Sequence, residues 1–239
     1  MALLTNTPYY YLLYSLWSLE LAPVAVSLAI DVTTLAFPFA LLRPVHAGNP
    51  SAPIRTANQA VARDWQIDGL TASLAAVVYA LTFYLTYMLS GFSVFLVTHF
   101  EYVPSLERLH NATLPTLVQS YAISGIAAML FLFRPAMAAA GAPKITAKKR
   151  ASKKFRADTA TFTETLAHNL GLGETGLSHR AEVLGKRAAV LVLGTLANTF
   201  VRVYGTVHGT DPVGSLGYSG LWAASNFLVA VAYSFLGQE

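Results

Sequence analysis

The sequence predicts an all-α membrane protein, a polytopic bundle of about five transmembrane helices with an interfacial N-terminal helix. Of its 239 residues, 54% are hydrophobic and only 12% are charged, which is about half the charged share of an average soluble domain. The apolar residues fall into blocks of about 18 residues or more, long enough as helices to cross a hydrocarbon layer of about 30 Å. Because hydrocarbon offers backbone groups no outside partner, these blocks are expected to be helical.

Residues 1–20 are expected to form the interfacial helix. No charged side chain occurs before Ser18, and the segment lacks both the basic start and the small-residue end of a secretory signal peptide. It is rich in aromatic rings, which favour the headgroup layer of a membrane. These aromatic residues are Tyr9, Tyr10, Tyr11, Tyr14 and Trp17.

Three membrane helices with short loops are expected within residues 21–140. The first span is predicted over Leu21–Leu42 and the third over Thr116–Phe133. The second, Gly69–Thr98, is longer than a hydrocarbon core, so it is expected to tilt or to break at Gly91.

Small residues recur in spans two and three at the spacing that brings them onto one helix face. Such faces let another helix approach closely in a membrane. The residues predicted to pack in this way are Ala72, Ala76, Ala80, Ser120, Ser124 and Ala128.

Residues 141–187 are expected to form a basic cytosolic loop containing a short amphipathic helix. A cluster of cations next to a membrane attracts anionic headgroups, and ribosomal RNA is an alternative polyanion. A third interpretation is a topology signal with no ligand. The cations concerned are Lys144, Lys148, Lys149, Arg150, Lys153, Lys154 and Arg156.

Spans four and five are predicted within residues 188–239, with Ser178 as the cap of the helix that enters the membrane near Ala188. Eleven of the 16 Lys and Arg residues lie between Arg134 and Arg187. With five spans, loops rich and poor in cations alternate along the chain. Since cation-rich loops stay on the cytosolic side, the N-terminus is expected to be lumenal and the C-terminus cytosolic.

Polar residues inside the spans are candidates for chemistry or for pairing between helices, because ionisable groups are costly in hydrocarbon. Pairing or packing is the preferred interpretation. The alternative is a small oligomeric transporter or channel in which these residues converge on one pathway. They are Asp31, Gln119, Asn198, Arg202 and Asn226.

The sequence contains no recognisable catalytic or metal-binding pattern. His99, His110 and His208 are all expected on the outer side, but without a metal-ligand spacing such as His-Glu-x-x-His. The absence of cysteine excludes disulfides and thiolate sites. No catalytic residue, metal or cofactor is therefore predicted, and an intramembrane lipid-modifying enzyme using the histidines is a second alternative.

These observations favour a non-catalytic membrane subunit or accessory protein. Its expected partners are membrane lipids and other membrane proteins or further copies of the chain, and DNA is not among them. The preferred location is the endoplasmic reticulum, with the mitochondrial inner membrane as the alternative. Asn111, which begins an Asn-Ala-Thr triplet in a loop expected to be lumenal, is a candidate glycosylation site.

Overall fold

The computed structural model describes residues 1–42, 64–89, 91–140, 172–173 and 176–236, which are almost entirely helical. The predicted all-α class is confirmed. Outside the helices, the described chain pairs Leu172–Gly173 with Gly176–Leu177 as a two-residue antiparallel contact. The helices are α1 (Ala2–Ser15), α2 (Leu21–Leu42), α3 (Trp65–Leu89), α4 (Phe92–His99), α5 (Glu107–His110), α6 (Leu114–Ser120), α7 (Ala122–Ala128), α8 (Arg134–Ala140), α9 (His179–Thr206) and α10 (Pro212–Phe235).

Four helical stretches among the described residues are long and apolar enough to cross a membrane. They are Leu21–Phe39, Trp65–Met88, Ala122–Ala139 and His179–Thr206. The third stretch runs through α7, a π-helical turn at Met129–Phe133, and α8. These helices fit an integral membrane protein.

Helix α10 is of comparable length, with 24 residues, yet it is not among the four. Polar side chains lower its mean hydropathy, and they point inward: Ser215, Ser219, Ser225 and Asn226 are all buried. The helix packs against α9 and α3. Its polar groups are therefore covered by neighbouring helices rather than by lipid.

Helix α1 packs inside the bundle, against α9, α2 and α7. Leu12 and Leu16 are fully buried. The ring of Tyr11 lies 5.2 Å from that of Tyr121 and 5.7 Å from that of Trp222. An interfacial position is not confirmed, because the aromatic side chains expected in the headgroup layer instead contact other helices.

Helix α2 lies at the edge of the bundle and packs mainly on α1. Its bounds agree with those predicted for the first span. Only 6% of its most apolar stretch is buried within the chain, with Val24 as its buried hydrophobic residue. Most of its surface thus faces whatever surrounds the protein.

The second span breaks at Gly91, between α3 and α4. Gly91 has φ = +64°, which glycine adopts without the strain that a side chain would cause. The short α4 then turns across the end of α10, where Phe95 lies against Gly217 and His99 lies against Gly214.

Helix α9 begins at the predicted cap, because the Ser178 hydroxyl accepts a hydrogen bond from the Ala181 amide at 3.1 Å. With 28 residues, α9 measures about 42 Å.

The two ends of the bundle carry different charged residues and are named after them. The Arg134 end holds Asp68, Arg134 and Arg180, and the Asp211 end holds His99 and Asp211.

Candidate functional site

The main polar site joins α1, α2 and α9 and is called here the Arg202 cluster. It comprises Asn6 and Tyr10 from α1, Asp31 from α2, and Asn198 and Arg202 from α9. The two residues of α1 are four positions apart, as are the two of α9. Because residues at that spacing share a helix face, each helix presents a polar stripe to the other.

The centre of the cluster is an ion pair. The Nη1 atom of Arg202 lies 2.7 Å from Oδ2 of Asp31 and donates to Oδ1 of Asn6 at 2.7 Å. The hydroxyl of Tyr10 donates to the same Oδ2 of Asp31 at 2.7 Å. The sequence raised the question of whether Asp31 and Arg202 pair, and the structure places them in direct contact.

Asn198 extends the cluster toward the middle of α9. Its Nδ2 donates to the carbonyl oxygen of Thr5 at 2.7 Å and to Oδ1 of Asn6 at 3.3 Å. In the other direction, the hydroxyl of Thr206 donates to that of Tyr9 at 3.1 Å. The ring of Tyr9 also lies 4.4 Å from Cζ of Arg202, a cation–π contact.

The ion pair is not fully covered by the described helices. The side chain of Arg202 is 27% exposed and that of Asp31 is 32% exposed. All contacts to the Asp31 carboxylate go to Oδ2, so Oδ1 accepts no hydrogen bond from the described residues. Likewise, the Nε–H of Arg202 has no acceptor among them.

Asn6 and Tyr10 were missed as site residues. Asp31 and Arg202 are conspicuous because charges are rare in spans, whereas Asn6 and Tyr10 lie in an uncharged aromatic segment. The available signal was their spacing of four, which matches that of Asn198 and Arg202.

A second polar cluster lies deeper, at the centre of the bundle. The hydroxyl of Tyr79 donates to Oδ1 of Asn226 at 2.5 Å. Nδ2 of Asn226 donates to the hydroxyl of Thr195 at 2.9 Å. All three residues are buried, and together they join α3, α9 and α10.

The five polar residues predicted to lie within the spans therefore do not converge on one place. Asp31, Asn198 and Arg202 meet in the Arg202 cluster, whereas Asn226 belongs to the separate central cluster. Gln119 is exposed on α6. Within one chain, the described residues therefore place these five side chains in at least three separate locations.

At the Asp211 end, the loops that follow α4 and α9 pair with each other. Nδ1 of His99 lies 2.8 Å from Oδ2 of Asp211, and the amide of Glu101 donates to the carbonyl of Gly209 at 2.9 Å. Oδ1 of Asp211 accepts from the Gly214 amide at 2.6 Å and so caps α10. These hydrogen bonds, first that from Gly214 and then that from His99, lower the pKa of Asp211 below its ordinary value of 3.8.

The other two histidines expected on the outer side, His110 and His208, lie apart from this contact. His208 stacks on Tyr102 with ring centroids 5.5 Å apart. His110 contacts the carbonyl of Leu106, the residue that precedes its own helix. Among the described residues, no three His, Asp or Glu side chains come together as a metal site would require.

At the Arg134 end, arginines join helices to one another. Arg134 forms a two-pronged contact with the carboxylate of Asp68. Arg180 donates to the carbonyls of Tyr233 and Leu236, where a cation is favoured by the C-terminus of α10. Arg187 donates to the carbonyl of Phe131 in the π-helical turn at 3.0 Å.

The seven cations predicted to contact anionic lipid, from Lys144 to Arg156, lie outside the described residues. Asn111, the candidate glycosylation site, is exposed in the turn after α5.

Most of the predicted small-residue faces lie buried between α3 and α7. Ala72, Ala76 and Ala80 on α3 are buried, as are Ser124 and Ala128 on α7. Ser120 is exposed and donates to the carbonyl of Thr116 at 2.9 Å.

Gly125 of α7, which was not among the predicted packing residues, lies directly against the backbone of α3. A Cβ atom there would overlap the carbonyl oxygen of Ala72 and lie 3.1 Å from Cβ of Ala76.

No protein-family model, curated protein or solved structure matches this chain.

Proposed function

We propose that this protein is a non-catalytic multi-pass membrane subunit that packs against partner membrane proteins and lipids through α2. The observation that carries the proposal is the exposure of this helix. Its apolar residues at both ends, such as Leu21, Phe39 and Leu42, are 64%, 74% and 81% exposed. Within the described chain, its main packing partner is α1.

A second feature of α2 favours another helix as its neighbour. Four small residues lie on one exposed stripe at spacings of three and four: Ala25, Ala29, Thr33 and Ala36. Stripes of this type let helix backbones approach closely in a membrane, where packing rather than hydrophobicity drives association. The stripe does not face α1, because Val24, Leu28 and Asp31 occupy that side.

Site-specific crosslinking tests this proposal. A photoreactive residue at Ala29 is expected to capture one membrane protein in stoichiometric amount, which mass spectrometry after gentle extraction would identify. The matched control is the same residue at Val201, which is 65% exposed on α9 and should capture only lipid. If position 29 also yields only lipid, α2 is a lipid-facing helix and the subunit proposal fails.

The proposed topology has five spans, α10 being the fifth, with the Asp211 end on the lumenal side and the C-terminus in the cytosol. Its support is the alternation of cations among the loops. The basic loop would then meet anionic lipid or another polyanion at the cytosolic face.

The proposed location is the endoplasmic reticulum. It predicts a glycosidase-sensitive mass shift that depends on Asn111 and is lost in Asn111→Gln. Cofractionation with inner-membrane markers of mitochondria would instead support the alternative location.

A further inference from the structure

The ion pair of the Arg202 cluster consists of two partly exposed side chains of opposite charge, each with hydrogen-bonding capacity that the described residues do not use. Oδ1 of Asp31 can accept, and the Nε–H of Arg202 can donate, with neither engaged by the described residues. The hydroxyl groups of Tyr9 and Thr206, which contact each other at 3.1 Å, belong to residues that also contact Arg202. The contacts inside the cluster hold both charged side chains in place.

We propose that this surface binds the headgroup of a zwitterionic lipid that carries an ammonium and a phosphate. The ammonium donates to Oδ1 of Asp31, and a phosphate oxygen accepts from the Nε–H of Arg202. This inference rests on the membrane embedding of α2 and α9 in the proposed function, and it deepens that function by naming the lipid class.

The charge balance of the cluster selects a zwitterion over an anion. Asp31 and Arg202 together are neutral, so adding a neutral headgroup places no net charge in a region of low dielectric constant. An anionic lipid would bring a second negative charge close to Asp31, and like charges at short range repel strongly there. A cation would meet the same obstacle at Arg202.

The hydrogen-bonding groups further select a primary ammonium over a quaternary one. A primary ammonium can donate to Oδ1 of Asp31, whereas a quaternary ammonium has no N–H. Quaternary groups are usually bound by aromatic cages. Here the rings of Tyr9 and Tyr10 lie over the guanidinium, 4.4 and 5.2 Å from Cζ of Arg202, so they are already engaged.

The cluster lies near the end of α9 but farther along α2. Arg202 lies four residues before the end of α9 at Thr206, or about 6 Å along the helix axis. Asp31 lies ten residues after Leu21, the first residue of α2, or about 15 Å along that axis. Binding therefore requires the headgroup to enter from the Asp211 end between α2 and α9, with its chains along the exposed apolar surface of α2.

Native mass spectrometry of the full chain, delipidated in mild detergent, tests the inference. The probes are phosphatidylethanolamine, phosphatidylcholine and phosphatidylglycerol with identical acyl chains. Phosphatidylethanolamine is expected to form adducts at concentrations about tenfold or more below the other two, the factor expected for one additional charge-assisted hydrogen bond. Equal or tighter binding of phosphatidylglycerol would overturn the inference.

Two variants connect the preference to the cluster. Asp31→Asn/Arg202→Gln removes both charges and should abolish the preference. Arg202→Lys keeps the positive charge but loses the planar guanidinium donors, so it should remain folded while weakening the preference. Asp68→Asn/Arg134→Gln, at the opposite end, is the matched control and should leave the preference intact. Circular dichroism checks that each variant is helical, and an unchanged preference in folded Arg202→Lys contradicts the assignment.

Soluble phosphoethanolamine distinguishes the source of the headgroup. If it displaces the lipid adduct at millimolar concentration, the headgroup alone is sufficient and a soluble zwitterion is a second ligand. If it does not compete while the lipid binds, the ligand is the membrane lipid. If neither phosphatidylethanolamine nor phosphoethanolamine binds, the proposed lipid site is wrong. Crosslinking from Ala29 to a partner would be unaffected by that result, so the two proposals can fail separately.

Discussion

Arg202 illustrates how a single side chain determines the arrangement around it. Its guanidinium contacts Asp31, Asn6 and Tyr10, which come from two other helices. An ionisable group in an apolar helix is stabilised only if its charge and its donors are matched. The three-helix junction of α1, α2 and α9 follows from that requirement.

Asp211 gives a residue-scale prediction about pH. Because the folded state lowers the pKa of Asp211, its ionised carboxylate stabilises the folded state at pH values above the ordinary pKa of 3.8. This contribution is expected to disappear as the pH falls from about 3.8 through the lower pKa of the folded protein. Thermal unfolding in detergent at several pH values measures it.

The matched variant is Asp211→Asn, which still accepts from the Gly214 amide as a helix cap but cannot titrate. The difference in melting temperature between the native protein and this variant should shrink as the pH falls below 4. A difference that stays constant between pH 6 and pH 3 would contradict the lowered pKa of Asp211.

Among the elements, the contact between α3 and α7 shows how small side chains set a helix separation. The backbones meet where Gly125 faces Ala72 and Ala76. Arg134, in α8 at the far end of the same helical stretch as α7, joins Asp68 of α3. This stretch and α3 are thus held at one end by charge and farther along by close packing. This combination fixes both their separation and their register.

Gly125→Ala tests this element-scale contact. The added methyl group would overlap the α3 backbone, and overpacking of this kind typically costs about 1–3 kcal/mol. Gly220→Ala on α10 is the control, because no atom lies within 4 Å of its added Cβ. It should be neutral or stabilise by about 0.5–1 kcal/mol through helix propensity. Thermal or denaturant unfolding in detergent gives both values, and equal effects at the two glycines would refute the close packing.

The helices were largely predictable from the sequence, since long apolar blocks and caps such as Ser178 carry a local signal. The break at Gly91 was likewise indicated by a single glycine in an overlong span. The environment of α1, in contrast, was not predictable from the sequence. Hydropathy cannot distinguish a helix covered by lipid from one covered by other helices, because both neighbours are apolar.

The site was predictable only in part for a related reason. Asp31 and Arg202 stand out as rare charges, but their pairing depends on α2 and α9, which are separated by more than a hundred residues. Gln119 and Asn226 have the same polarity in the sequence, yet one is exposed and the other is fully buried. That difference depends on helix rotation within the bundle, which tertiary packing decides.

For the whole molecule, the proposed topology can be tested directly, because the chain contains no cysteine. In sealed microsomes, a membrane-impermeant maleimide is expected to label His110→Cys only after permeabilisation, since the Asp211 end would face the lumen. Ser178→Cys, exposed at the start of α9, should be labelled without permeabilisation. The reverse pattern would invert the orientation, and equal labelling of both sites would contradict an odd number of crossings between them.

The position of α1 also has a consequence for the order in which the molecule assembles. Asn6 meets Asn198 across 192 residues, and Pro8 meets Tyr218 across 210. At synthesis rates of about 5–20 residues per second, α1 would wait about 10–40 s for these partners. Contacts so distant in the chain slow the final closure of a fold. Helix α1 is thus synthesised well before its partners in α9 and α10 and is among the last of the described helices to be secured, so its polar face needs other contacts until they arrive.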